Sequence, residues 1–72
     1  MQVMVNGEST DIKSGSTVAE LLALLQIARE RVAVEVGLEI VPKGQYDSHT
    51  LAEGDRIEIV HFVGGGQQGR RL

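Results

Sequence analysis

A two-layer α+β domain, with one helix laid over one face of a mixed sheet, is the fold class this chain predicts. Three observations lead to it. An Asn6-Gly7 step sits between Val-rich and polar-alternating stretches, one segment around residues 18–25 repeats its apolar residues at helical spacing, and residues 31–36 and 56–63 alternate with a period of two. The order is therefore hairpin, helix, then further strands. One helix covers only one face of a sheet of four to five strands, so the other face is left open.

Met1 to Asn6 reads as a first strand. Asn-Gly tolerates positive φ at both positions, which is what a two-residue hairpin turn demands, and the return strand runs from about Glu8 to Lys13. Ser14-Gly15-Ser16 punctuates the chain. Thr17 and Glu20 then have the spacing of a capping box, in which each side chain satisfies a backbone donor near the other residue. Val18, Leu21, Leu22 and Leu25 follow at i, i+3, i+4 and i+7, predicting a helix from Thr17 to Gln26 or Ala28. Val32, Val34 and Val36 share one face of a third strand, which Gly37 breaks. Ile40-Val41-Pro42 suits a short edge segment, because proline cannot donate to a central ladder. Lys43 to Glu53 is polar and reads as a loop or a short helical turn, and Arg56 to Val63 forms the last strand. The expected core is Val3, Val5, Ile12, Val18, Leu21, Leu22, Leu25, Val32, Val34, Ile57 and Ile59.

Seventy-two residues make one small domain with a thin core. The absence of cysteine excludes disulfides, thiolate metal sites and a cysteine nucleophile, and suits a reducing cytoplasmic setting. No apolar run approaches a membrane span, and the opening MQVMVNGE has neither a basic nor a long apolar stretch, so no signal peptide is expected. The net charge is −3 with only one Phe and one Tyr, a poor basis for gripping phosphates or stacking on bases, so nucleic acid is not expected as a partner. On its own the small acidic domain is expected to be a monomer.

Two regions draw attention as functional. The last strand runs straight into Gly64-Gly65-Gly66, dividing the chain into a domain over 1–63 and a flexible glycine-rich tail over 64–72. A strip without side chains can enter a narrow slot and bring a chain end to another enzyme's active site, although a glycine run alone is equally a frayed linker. The second region is a surface. By alternation Ile57, Ile59 and His61 face the helix, while Val60 and Phe62 face away, as does Met4 in the first strand. Met4, Val60 and Phe62 form a candidate docking patch beside the tail, or simply scattered apolar residues on an open face. The two imidazoles, His49 and His61, lack companions at ligand spacing, so no metal is expected. Glu53, Asp55 and Glu58 read as a solvated acidic rim rather than an acid–base pair, and Lys43 and Arg56 as surface charges.

The opening MQVMVNGE, the helix segment TVAELLALL, the stretch VAVEVGLEIVPKGQY and the ending GDRIEIVHFVGGG together resemble the ThiS family, the sulfur carriers of thiamin biosynthesis, over residues 1 to 66. The resemblance implies a ubiquitin-like β-grasp fold. It also implies that the carboxylate of Gly66 is adenylated by a ThiF-type, E1-like partner that uses ATP. Sulfur from a cysteine-desulfurase persulfide then converts it to a thiocarboxylate, which serves a ThiG-type thiazole synthase. In that reading Gly64, Gly65 and Gly66 are the tail that enters the partner's site, and the chain is a protein co-substrate that is not itself an enzyme and binds no cofactor. Two other readings stand beside it: a carrier for molybdopterin or cysteine formation, and a β-grasp interaction module without covalent chemistry. The chain departs from short family members by continuing Gln67-Gln68-Gly69-Arg70-Arg71-Leu72, because a carbonyl held in a peptide bond cannot be adenylated. Removal of those six residues by a peptidase is the expectation, with a cloning remnant or a homologue inactive as written as the alternatives.

Overall fold

The computed structural model describes residues 1–63 and 68–71. Strands β1 (Gln2–Val5) and β2 (Glu8–Asp11) form the predicted hairpin. Val5 pairs with Glu8, and the two residues between them, Asn6 and Gly7, have φ of 49° and 85°. Both lie in the left-handed region that a type I′ turn requires.

Helix α1 (Val18–Leu24) starts on the capping box the sequence predicts. The Thr17 hydroxyl accepts from the Glu20 N–H, and the Glu20 carboxylate accepts from the Thr17 N–H at 2.8 Å. Its next orphan donors are met by the following loop: the Val18 N–H reaches the His49 carbonyl and the Ala19 N–H the Tyr46 carbonyl. The helix is shorter than expected. Gln26 stands in the left-handed region (φ 60°), and the Gln26 and Ile27 N–H groups bond back to Ala23 and Leu22, the pattern of a Schellman stop.

Strands β3 (Val32–Val36) and β4 (Glu39–Val41) make a second two-residue hairpin through Gly37 and Leu38, both with positive φ. The sequence reading anticipates the short edge segment but not this turn, because leucine is a poor occupant of the left-handed region. Strand β5 (Arg56–Val63) then enters the middle of the sheet, parallel to β1 and antiparallel to β3, giving the order β2-β1-β5-β3-β4. This is the mixed sheet with one helix that the β-grasp expectation describes.

The core holds every predicted residue except Leu25, which is only partly buried, and adds Val41, Tyr46 and Leu51. The loop after β4 is thus more built than a polar stretch suggests. A 3-10 turn at Lys43–Gln45 drops Tyr46 into the interior at 1% exposure, and the Leu51 N–H ties back to Ser16.

At the chain's end, Gln68–Arg71 form a strand, β6, antiparallel to β5 with His61 opposite Arg70 and Val63 opposite Gln68. The sequence reading assigns these four residues to an unpaired tail, and here the structure differs. Strand β5 outruns β1, whose last paired residue, Val5, stands at Ile57, so the edge at His61 and Val63 offers backbone groups that a returning segment can pair. Gly64, Gly65 and Gly66 lie outside the described residues.

Candidate functional site: the open sheet face and the root of the tail

Alternation along β5 decides which side chains face the helix and which face away. Ile57 and Ile59 are fully buried under α1, so Arg56, Glu58, Val60 and Phe62 belong to the open face, as Met4 does opposite Arg56. The structure brings Val60 and Phe62 together as same-face neighbours on the strand that leads into the tail. It does not bring Met4 beside them. Met4 stands at Arg56, four residues from Val60, or roughly 13 Å at the usual strand rise, with Glu58 between.

Two further apolar residues share this face. Ala33 is directly opposite Val60, and Ile40, well exposed on β4, is opposite Glu35. Ala33 follows from the same period-two pattern once β3 is registered against β5. Ile40 could not be placed until the second hairpin was known. Glu35 faces Glu58 across the β3–β5 ladder, so two carboxylates lie among these apolar residues. Like charges directly opposite each other weaken a sheet, and this pair places two acidic residues at the centre of the open face.

Phe62, at 44% exposure, is held from the side. The Lys43 ammonium stands 5.2 Å from its ring centroid and donates to the carbonyls of Arg29 and Val32, each at 2.9 Å. Lys43 is therefore a strut between the 3-10 turn, β3 and the open sheet face rather than a free surface charge. Beside it, Arg29 lies over the Tyr46 ring at 5.5 Å and reaches both oxygens of Asp47, at 3.0 and 3.1 Å. That hydrogen-bonded pairing holds the Asp47 carboxyl below its ordinary range and raises the Arg29 guanidinium above its own. Burial pushes the Tyr46 hydroxyl up.

Glu53 is exposed and Asp55 half-buried, and each also bonds to backbone. Glu53 accepts from the Gln2 N–H at 3.0 Å, and Asp55 accepts from the Ala52 N–H at 2.8 Å, so both fix the bend that delivers the chain into β5. His61 is half-buried, with Nδ1 lacking a hydrogen-bond partner among the described residues. Among the described residues no group of three or more His, Cys, Asp or Glu is placed to hold a metal ion, and no helix is long and apolar enough to cross a membrane.

The central strand of this small sheet runs into a glycine strip, and its open face mixes apolar and acidic residues. The model of the ThiS family matches residues 3–66, nearly the whole chain, and its match stops at Gly66. The chain belongs to the ThiS family. The sulfur carrier protein ThiS of Bacillus subtilis is 42% identical over 65 residues, which cover 89% of this chain and 98% of that relative. The crystal structure of the ThiS protein of Geobacter metallireducens superposes with a TM-score of 0.80 at 35% identity, covering 92% of this chain and all of that one. A thiazole synthase of Magnetococcus marinus is 45% identical over 67 residues, 93% of this chain but only 21% of that longer protein. The chain thus spans about a fifth of that relative's length, and a family-like segment occurs there within a much larger polypeptide.

Proposed function

We propose that this chain is a sulfur carrier of thiamin biosynthesis that works through the main-chain carboxyl of Gly66. The observation that carries the reading is the coincidence of two boundaries. The family match ends at Gly66, and Gly66 lies three residues beyond the end of β5, the strand at the centre of the sheet. The reactive end is thereby tethered to the most firmly held element of the fold.

In this reading a ThiF-type, E1-like partner binds the open face at Val60 and Phe62, with Met4, Ala33 and Ile40 at its margin. The glycine strip, having no side chains, passes into the partner's site. A Gly66 carboxylate oxygen attacks the α-phosphorus of ATP and pyrophosphate leaves, giving an acyl-adenylate. The terminal sulfur of a cysteine-desulfurase persulfide attacks the acyl carbon, AMP leaves, and thiol reduction of the remaining S–S bond frees the thiocarboxylate. That soft nucleophile is then offered to a ThiG-type thiazole synthase, the enzyme for which the Magnetococcus relative is named. With no cysteine in the chain, a main-chain thiocarboxylate is the available place to carry transferable sulfur. The carrier contributes the end group and its presentation, while ATP, acid–base groups and sulfur come from partners, in the cytoplasm. Residues 67–72 are removed before activation, since Gly66 must end in a free carboxylate.

The test is intact-mass measurement of the Gly66-ended form after incubation with its activating enzyme, ATP and a persulfide donor. Exchange of one oxygen for sulfur at the C-terminus is the expected result. A mass that never changes in a folded protein rejects the carrier chemistry and leaves a non-covalent interaction module. Delivery of the sulfur to a molybdopterin or cysteine-forming acceptor, rather than a thiazole synthase, moves the protein to another pathway.

A further inference from the structure

The edge of β5 that faces β1 is shared among three partners in succession. The Met4 N–H donates to the Asp55 carbonyl and the Asn6 N–H to the Ile57 carbonyl, each at 2.8 Å, so the odd-numbered residues of β5 turn their backbone groups to this edge. The main chain then leaves through the Asn6-Gly7 turn, and no backbone of β1 reaches Ile59. The Asn6 side chain takes its place. Its Oδ1 accepts from the Ile59 N–H at 2.7 Å, and its Nδ2 donates to the Ile59 carbonyl at 3.2 Å. One carboxamide thus reproduces both hydrogen bonds of a neighbouring strand residue, across 53 positions of sequence. By the same alternation the next groups on this edge belong to His61 and Val63, which face Arg70 and Gln68 of β6.

We infer that Asn6 is a positioning residue for the tail: its carboxamide pins β5 at Ile59, the last position on this edge held by a residue outside the tail itself, and so sets the direction in which the glycine strip leaves the domain. The turn alone does not require this side chain, since glycine meets the same positive φ. What asparagine adds is the matched donor and acceptor. Glycine supplies neither, serine has a single shorter oxygen where the carboxamide sets donor and acceptor on two separate atoms, and aspartate supplies the acceptor only. This inference rests on the carrier reading for its consequence but not for its geometry.

The experiment compares the full 72-residue chain with its Asn6→Gly and Asn6→Asp variants by NMR. Asn6→Gly keeps the turn and deletes both bonds. The Ile59 amide is expected to exchange about tenfold faster or more, and in the Gly66-ended forms, which lack β6, backbone order at His61–Val63 is expected to fall from about 0.85 toward 0.6 with β3 unchanged. Asn6→Asp, which retains the acceptor, is expected to keep Ile59 exchange within about threefold of the parent. In the Gly66-ended forms, a length shown to fold by the Geobacter relative, Asn6→Gly is expected to lower kcat of adenylation about tenfold with KM unchanged, because the docking face is intact while the end is misdirected. Unchanged order at His61–Val63 in Asn6→Gly overturns the inference, and so does an unchanged kcat beside lost order. A parent protein that is never adenylated rejects the carrier reading alone, and the order and exchange data then decide the role of Asn6.

Discussion

Truncating Tyr46 tests whether the loop after β4 is part of the core. The ring is 1% exposed and ranks first in size among the fully buried side chains, and its backbone carbonyl also caps the second residue of α1. Deleting a buried aromatic side chain typically costs about 3–5 kcal/mol. A domain of 72 residues at about 0.05–0.15 kcal/mol per residue holds about 4–10 kcal/mol in all. Tyr46→Ala should therefore remove close to half of the stability or more. With a urea dependence of about 1 kcal/mol per molar, the midpoint should drop by about 3 M or leave the chain unfolded in buffer. Tyr46→Phe keeps the ring and loses only a long hydroxyl contact, 3.4 Å to the Val32 carbonyl, so about 0.5–1 kcal/mol is expected. The phenol also gives a pH signature. Its folded-state pKa lies above the ordinary value of about 10, so its neutral form stabilises the fold below that pH and the contribution is lost as pH rises through the folded value. Tyr46→Phe should flatten that alkaline decline. Urea titrations followed by circular dichroism check all three points. An Ala variant within about 1 kcal/mol of the parent, or a Phe variant as weak as Ala, refutes the packing argument.

Other outcomes follow from the same structure. Asp47→Asn should flatten the acid limb of stability: the Asp47 pKa is depressed by Arg29, so its contribution is present above the ordinary carboxylate range and fades as pH falls through the folded value, which thermal melts between pH 2 and 6 would show. Gln26→Gly relieves a left-handed residue at the helix stop and should raise Tm by about 2–4 °C, and Leu38→Asn should do the same at the second hairpin. Phe62→Asp, at a half-exposed position of the open face, should weaken binding to the activating partner more than tenfold by calorimetry while moving Tm by no more than about 3 °C.

Much of this fold is legible in the residues, and the reasons are local. Asn6-Gly7, the Thr17–Glu20 box and the valine alternation at 32–36 each act over a few positions, so their signal survives without tertiary information. The parts that escape reading are those decided by distant partners. Tyr46 and Leu51 are lone apolar residues in a polar stretch, and only the seat offered by α1 and β3 turns them inward. Leu38 adopts a conformation its side chain disfavours because the β3–β4 register leaves two residues for the turn. Lys43 and Glu53 look like surface charges in sequence, whereas their backbone partners, Arg29, Val32 and Gln2, arrive from other strands and turns. The open face was readable as far as Val60 and Phe62, one strand's alternation. Its width toward Ile40, and the gap before Met4, depend on register between strands.

The placement of β5 has a bearing on how the molecule is born. A ribosome delivers β1 well before β5, yet these two lie side by side, with Met4 facing Arg56. Until β5 clears the exit tunnel, the two hairpins have nothing to join them, and closing that long loop is a slow, late event. Maturation of the sheet and arrival of the glycine strip are therefore one event, so a nascent chain lacking the middle rung has no finished scaffold from which to hand anything over.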